Sequence, residues 1–383
     1  MWWTSCFSHR FKKFLDQQDL ETFCANIGIC VKFLSSPPYY RNISLKRLLN
    51  HYLIAKDFRK SAWKIKPKPD VVIASTPPPT LALQALKYAK AVGSKIIIDT
   101  QDMWPEAFYY IVPKILRPAA YIGFLHWHRM VKKTYSAADG YIGSAAAYID
   151  RAIELGGSKN ISEVIPLGID IELFDKAAAE GICPKFKKPK GDVWFVYAGS
   201  LTRNHDFITP IHAFAMVHDK LNSPVKFFIV GRGYLSQKIG HLLKKFGLSN
   251  IIQTGYLELN KLSYLLSQCD IGINPSWPET RIYLPYKLFY YFAGSLAILN
   301  TMPGECSRIL RDNNCGIDYR AGDIKSCAEA MMRITCKNKE MSAMKSNSRL
   351  LAQNMYDRKM LCKQYALAVE RIVSNSCSLK NND

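Results

Sequence analysis

The sequence predicts an α/β protein built from two doubly wound parallel-sheet domains. Three observations carry that expectation. Short apolar runs rich in β-branched and aromatic residues recur at 29–34, 71–76, 95–100 and 140–145. They recur again at 193–199, 226–231, 250–255, 271–275 and 296–301. Helical patterns separate most of them, such as 80–92 (Leu81, Leu83, Ala85, Leu86, Ala89) and 235–246 (Leu235, Ile239, Leu242, Leu243, Phe246). Alternating strands and helices mean βαβ units, and strands apolar throughout mean sheets covered on both faces. Finally, 181–190 (GICPKFKKPK) breaks the rhythm with two prolines and four lysines. It reads as a linker. The expected division is a first domain over 1–180, a linker over 181–190, a second domain over 191–355, and a helix with a frayed tail over 356–383.

Composition narrows the class. The chain has 383 residues, 48% hydrophobic and 22% charged, which is globular and excludes a disordered protein. The net charge is +21. Residues 1–190 hold 28 basic and 16 acidic side chains, and the remainder 24 and 15. The excess is therefore no basic tail. Nucleic acid, an anionic membrane surface and phosphate-bearing small molecules all suit such a charge. Eleven cysteines are scattered without a CxxC pair, and no Cys/His cluster has metal spacing. They read as reduced thiols, and no metal is expected. No run of 18 apolar residues and no signal-peptide core occurs, so a cytoplasmic protein is expected, peripheral on a membrane at most.

Five segments carry candidate chemistry. In VYAGSLTRNH (196–205) an apolar strand runs into Gly199-Ser200, a polar loop and a helix. Such a loop lets backbone amides approach a diphosphate, with charge from Arg203 or His205, or it is an ordinary βα turn. FIVGRG (228–233) ends a strand at Gly231 but is not the dinucleotide fingerprint. In NPSWPETRIYLPYKLFYYFAG (274–294), Leu284-Pro285 opens a helix with Lys287 in its first turn, where a cation opposes the helix dipole unless an anion binds or solvent screens it. DTQDMWPE (99–106) sets Asp102 and Glu106 after a strand, for acid/base work or merely as caps. In 117–135, Tyr121, Phe124, Leu125, His128, Val131 and Tyr135 share one helical face, which suits a core stripe better than an interfacial helix.

Taken together, these segments resemble the bacterial family-4 glycosyltransferases, and within them the branch of L-fucosamine transferases of O-antigen and capsule synthesis. The matching runs in the first half are DVVIASTPPPT (70–80), KIIIDTQDMWPEAF (95–108), SAADGYIGSAAAYID (136–150) and VIPLGIDIELF (164–174). In the second half they are YAGSLTRNHDF (197–207), FIVGRG (228–233), TGYLELNKLSYLLSQCDIGINP (254–275) and LPYKLFYYFAGSLAILNTMPGE (284–305).

The resemblance implies the GT-B fold: two Rossmann-like domains facing a cleft, with the C-terminal helix crossing back. It implies a retaining transferase that uses a UDP-sugar, often N-acetylated, as co-substrate and needs no metal or other cofactor. The acceptor it implies is a polyprenyl-diphosphate-linked glycan at the inner face of the plasma membrane, for lipopolysaccharide, capsule or exopolysaccharide assembly. Carried over by motif, Arg203 touches the diphosphate, and Lys287 meets the diphosphate or donor sugar. Gly199, Ser200, Gly231, Thr254, Gly255, Tyr256, Leu284 and Pro285 shape the nucleotide-sugar site. As the catalytic residues the resemblance implies, Asp102 and Glu106 face the acceptor and the transferred sugar, and His9, in FSHR (7–10), lies near the cleft. A +21 chain without a nucleic-acid motif suits a diphosphate-lipid substrate on an anionic membrane.

The chain departs from the family pattern twice. Tyr290 stands where a ribose-binding acid, usually Glu, is expected, and a phenol cannot accept two hydrogen bonds as a carboxylate does. Ile282 occupies the place of the acid expected earlier in that motif, with Glu279 nearby. The opening MWWTSCFSHRFKK resembles the family's second strand, so the first domain is expected to lack its N-terminal strand. These departures define the alternative expectation, a truncated or inactive nucleotide-binding homologue.

Overall fold

The computed structural model describes residues 1–9, 11–41, 44–109, 112–221, 223–280 and 283–378. Ile282 lies outside them. The chain divides into two compact units, 1–164 with 367–383, and 165–366.

The first unit begins with β1 (Trp2–Thr4), β2 (Phe7–Ser8), β3 (Lys13–Phe14) and β4 (Val31–Phe33). β1 pairs in parallel with β4, while β2 and β3 form a short antiparallel hairpin. Next come β5 (Val71–Thr76), β6 (Lys95–Thr100), β7 (Gly140–Gly143) and β8 (Ser162–Val164), a parallel sheet in sequential order. Helix Pro79–Val92 links β5 to β6 and ends where Gly93 takes a left-handed conformation. Its buried Ala82, Ala85, Leu86 and Ala89 pack with Ile96, Ile98, Val131, Tyr135 and Tyr141. The stripe expected over 117–135 is broken at Phe124 into helices Arg117–Gly123 and Leu125–Ser136. Its C-terminal end, Val131 and Tyr135, is buried, whereas Tyr121 is exposed.

The second unit carries β9 (Val193–Ala198), β10 (Val225–Val230), β11 (Ile251–Gly255), β12 (Ile271–Asn274), β13 (Ala297–Asn300) and β14 (Gly316–Asp318). They form one parallel sheet in the order β11-β10-β9-β12-β13-β14. The order reverses between β9 and β12, and in such sheets ligands bind beyond the carboxyl ends at that reversal. β9 is buried at every residue, and apolar clusters cover the sheet on both faces. This is what its unbroken VWFVYA run requires.

The linker expected at 181–190 is corrected. The second unit begins at Ile165, and the 181–190 stretch packs into it. Phe186 is buried against Phe228, and Lys188 Nζ lies 2.7 Å from both carboxylate oxygens of buried Asp270. A lysine- and proline-rich composition hides one core aromatic and one paired cation. The helical C-terminal stretch is two helices, Asn338–Met355 and Arg358–Ser378. From Leu367 onward the last helix belongs to the first unit, where Ile372 packs against Gly140. Among the described residues no helix is long and apolar enough to cross a membrane.

Candidate active site

At the sheet reversal of the second unit, the ends of three strands are stitched together by backbone. Gly199 N donates to Val230 O at 3.0 Å, and Gly231 N donates to Gly255 O at 2.8 Å. The Gly231 and Gly199 backbones are so close that a Cβ on Gly231 would sit 1.9 Å from Gly199 O. Only glycine permits that approach. The loop after Gly199 is tied to the next one by Leu201 N to Arg232 O at 3.1 Å and Leu235 N to Leu201 O at 3.0 Å.

Lys287 is the chemical centre of this edge. It is the first residue of helix Lys287–Ala293, and its Nζ is buried without a hydrogen-bond partner. It stands 4.5 Å over the ring of Tyr197, and its stem passes within 3.6 Å of where a Gly199 Cβ would be. Burial pulls its ammonium down to about 7. A desolvated cation with only a π-face for company is an incomplete anion site. Tyr197 is held in place because its hydroxyl donates to Ser200 O at 2.8 Å. Tyr291 braces the same corner: its hydroxyl accepts from Ala198 N at 2.9 Å and donates to Ile273 O at 3.2 Å.

His205 lies beside this centre, edge-on to Tyr197, with Nδ1 3.2 Å from Thr202 Oγ1. Burial, and then the Lys287 charge, lowers its imidazole to about 3, so it is neutral at pH 7. Arg203 is exposed and extends outward, its guanidinium 4.4 Å over the Tyr234 ring and donating to the Tyr234 hydroxyl at 2.5 Å. Arg203 and His205 line a cavity of about 200 Å³ with Trp277, Lys238 and an apolar floor that includes Phe207 and Ile239.

The expected nucleotide-site residues are thus partly gathered. Gly199, Ser200, Gly231, Gly255 and Lys287 form one edge, and Thr254 and Tyr256 flank Gly255. Thr254 Oγ1 donates to Gly255 O at 3.0 Å, and the Tyr256 side chain is exposed. Leu284 packs against the core and Pro285 is buried, so both act as supports. Tyr290 packs its ring against Phe174 and Tyr286. Glu279 is exposed. Tyr197 was not anticipated, because a tyrosine inside a buried strand carries no site signal in sequence.

In the first unit the expected carboxylates part company. Glu106 Oε1 accepts from Arg151 Nε at 3.1 Å and from its terminal nitrogen at 2.8 Å, and Oε2 lies 2.6 Å from that nitrogen. The buried Arg151 also donates to Trp104 O at 2.8 Å. Glu106 is therefore an ion-pair partner that anchors the Trp104 loop. Asp102 accepts from Met103 N at 2.8 Å and from Trp104 Nε1 at 3.2 Å, and burial raises its carboxyl above the usual range. His9 is held by other partners, its Nδ1 2.5 Å from the Tyr39 hydroxyl and 3.2 Å from Lys12 Nζ. Arg47, over the Trp104 ring at 4.6 Å, and His51 belong to this neighbourhood and escaped the sequence reading.

Residues 192–336 match the family described as glycosyl transferases group 1. Several solved structures share the fold. Anabaena HepE in complex with UDP is similar at TM-score 0.69 and 12% identity, over 97% of this chain and 99% of its own. Sucrose-phosphate synthase from Thermosynechococcus elongatus is similar at TM-score 0.68 and 14% identity, over 90% and 84%. WaaG, a glycosyltransferase involved in lipopolysaccharide biosynthesis, is similar at TM-score 0.55 and 14% identity, over 78% and 85%. Among curated proteins none matches the sequence. Residues 192–336 thus match the glycosyl transferases group 1 family, and the chain has the GT-B fold of these solved structures.

Proposed function

We propose that this chain is a glycosyltransferase that moves a sugar, N-acetylated in the reading we favour, from a UDP-sugar to a lipid-linked glycan, with retention and without a metal, as in the L-fucosamine transferase branch of family 4. One observation carries the reading: the buried Lys287 ammonium at the sheet reversal, facing Gly199 with no hydrogen-bond partner. In the transfer, the bond between the sugar C1 and the β-phosphate oxygen breaks. A bond from the acceptor hydroxyl oxygen to C1 forms, and the hydroxyl proton passes to the departing phosphate. Negative charge grows on the leaving diphosphate, and a preorganised cation in a water-poor site stabilises it. Lys287 supplies that cation, and the open backbone of Gly199 lets the phosphate approach. The UDP held by HepE supports the choice of nucleotide.

The acceptor half of the proposal rests on charge. The chain carries +21, and Ile115, Leu116 and Ile122 are exposed apolar side chains. An anionic inner-membrane surface suits both features. Co-sedimentation with anionic vesicles that weakens with salt is expected; binding indifferent to lipid charge would count against it.

The deciding experiment is a thermal-shift screen with UDP, GDP, UDP-GlcNAc and UDP-GalNAc. A ligand that binds only the folded state raises the melting temperature by mass action. A UDP-selective rise is expected, and a rise with GDP alone, or none, would sink the reading. Tyr290, packed on Phe174 and Tyr286 in place of an acid, favours a second reading as an inactive nucleotide-binding homologue. That reading gains if UDP binds but no UDP-sugar is consumed with any lipid-linked acceptor.

A further inference from the structure

The cavity beside Arg203 is built from residues other than those of the nucleotide edge. Its lining includes none of Gly199, Gly231, Gly255 and Lys287. Phe207 and Ile211, at the start of helix Ile208–Val217, and Ile239, in helix Ser236–Phe246, form its floor. All three belong to one of the two apolar clusters that cover the sheet, whereas the helix that Lys287 opens packs into the other. At about 200 Å³ the cavity is smaller than the roughly 300–1,000 Å³ of drug-sized sites, so it has no room for a nucleoside diphosphate.

Its wall is fixed by backbone hydrogen bonds. Asp206 N donates to Pro275 O at 2.7 Å and Trp277 N to Asn204 O at 3.2 Å, which ties the two loops of the wall together. Ile208 and Trp277 line the cavity and also reach solvent, at 43% and 36% exposure, so it opens outward. Two exposed cations, Arg203 and Lys238, stand at this opening. Asp206 is the one acid among the described lining residues, and its oxygens accept from Thr209 N at 3.1 Å and Gly322 N at 2.7 Å. His205 is neutral at pH 7 and leaves the balance positive. Tyr234 accepts from one nitrogen of the Arg203 guanidinium, which carries five N–H donors. An apolar floor beneath a cationic rim suits a small anion with an apolar chain. The motif sets Arg203 on the donor diphosphate, yet its guanidinium lies over Tyr234, beside this cavity.

We propose that the cavity is a regulatory site for an aliphatic carboxylate. Its headgroup engages Arg203 and Lys238, its chain covers the apolar floor, and its presence keeps Arg203 from the donor diphosphate. The regulatory half rests on the transferase reading above; the binding half does not.

The test is calorimetric titration of the full chain with octanoate, octanol and acetate, below the micelle concentration of octanoate. Octanoate is expected to bind about a hundredfold or more tighter than acetate, from burial of its chain. It should bind about tenfold or more tighter than octanol, from its charge. Ile208→Trp fills the cavity from its exposed rim, and Lys238→Glu reverses one charge. Each should weaken octanoate about tenfold or more and leave UDP affinity unchanged. Melting temperatures identify any variant that fails to fold. On the wild type, saturating octanoate should weaken UDP about fivefold or more, and UDP should weaken octanoate by the same factor. Octanol binding as tightly as octanoate, or octanoate indifferent to both substitutions, overturns the site. Octanoate that binds as expected but leaves UDP affinity unmoved keeps the site and overturns its regulatory role. A wild type that binds octanoate but no UDP refutes the donor reading, takes the regulatory half with it and leaves the site standing.

Discussion

Lys287 Nζ stands 4.5 Å over the ring of Tyr197, fully buried and with no hydrogen-bond partner. An ammonium in that position costs the apo protein stability, because the ring face replaces only part of its lost hydration. The arrangement is explained by a phosphate that completes it. Lys287→Met keeps the stem and removes the charge. UDP affinity should fall by about tenfold to a hundredfold, as for a lost charge-assisted hydrogen bond. The apo melting temperature should hold or rise. Calorimetry and a thermal melt on the same preparation check both, and a variant that binds UDP as well as wild type would remove Lys287 from the site.

The same residue sets a pH dependence. Its ammonium is depressed from 10.5 to about 7 in the folded chain. Between those values the unfolded chain binds the extra proton, so apo stability should rise with pH from about 7 toward 10. UDP needs the protonated form, so its affinity should fall over the same interval, by up to about tenfold per pH unit. The two trends have opposite signs, and both should vanish in Lys287→Met. Chemical denaturation and UDP titration at pH 6.5, 8 and 9 separate them.

Glu106 was expected to serve the reaction, and its geometry gives it a structural partner. Both of its oxygens face the guanidinium of Arg151, whose side chain is 7% exposed. Glu106→Gln leaves that cation without a charge partner in the interior. The cost should be about 3 kcal/mol, the scale of a broken buried pair. Turnover per folded molecule should stay near wild type. A large loss of kcat in a variant that melts normally would return Glu106 to the chemistry.

Much of this was legible from local pattern. The runs at 71–76 and 95–100 became strands with those bounds, and Gly199 and Gly231 were marked by their place after apolar strands. What the sequence hid depends on partners far along the chain. Arg151 lies 45 residues from Glu106 and carries no local sign that it will claim that carboxylate. Arg47 and Lys12 meet at Tyr39 only through tertiary packing. Phe186 looked like part of a linker because four lysines and two prolines surround it, yet it packs on Phe228. Arg203 carried the expected charge, but its guanidinium rests on Tyr234. Periodicity reports which face of an element is apolar; it says nothing about which distant side chain will neutralise a charge.

The glycine stitch at the sheet reversal gives the sharpest contrast between space and backbone strain. Gly231 has φ 135°, and its added Cβ would lie 1.9 Å from Gly199 O, a backbone atom that cannot rotate away. Gly247 also has positive φ, at 63°, but nothing lies within 4 Å of its added Cβ. Alanine at Gly247 should cost only the left-handed penalty, about 1 kcal/mol, and leave UDP binding intact. Alanine at Gly231 should cost about 3 kcal/mol, because the Gly199 loop must shift as well. That shift moves the segment expected to meet the diphosphate, so UDP binding should be lost even under conditions where the variant is folded. Equal penalties at the two sites, with UDP bound by both variants, would show that the Gly199–Gly231 approach has no part in holding the nucleotide.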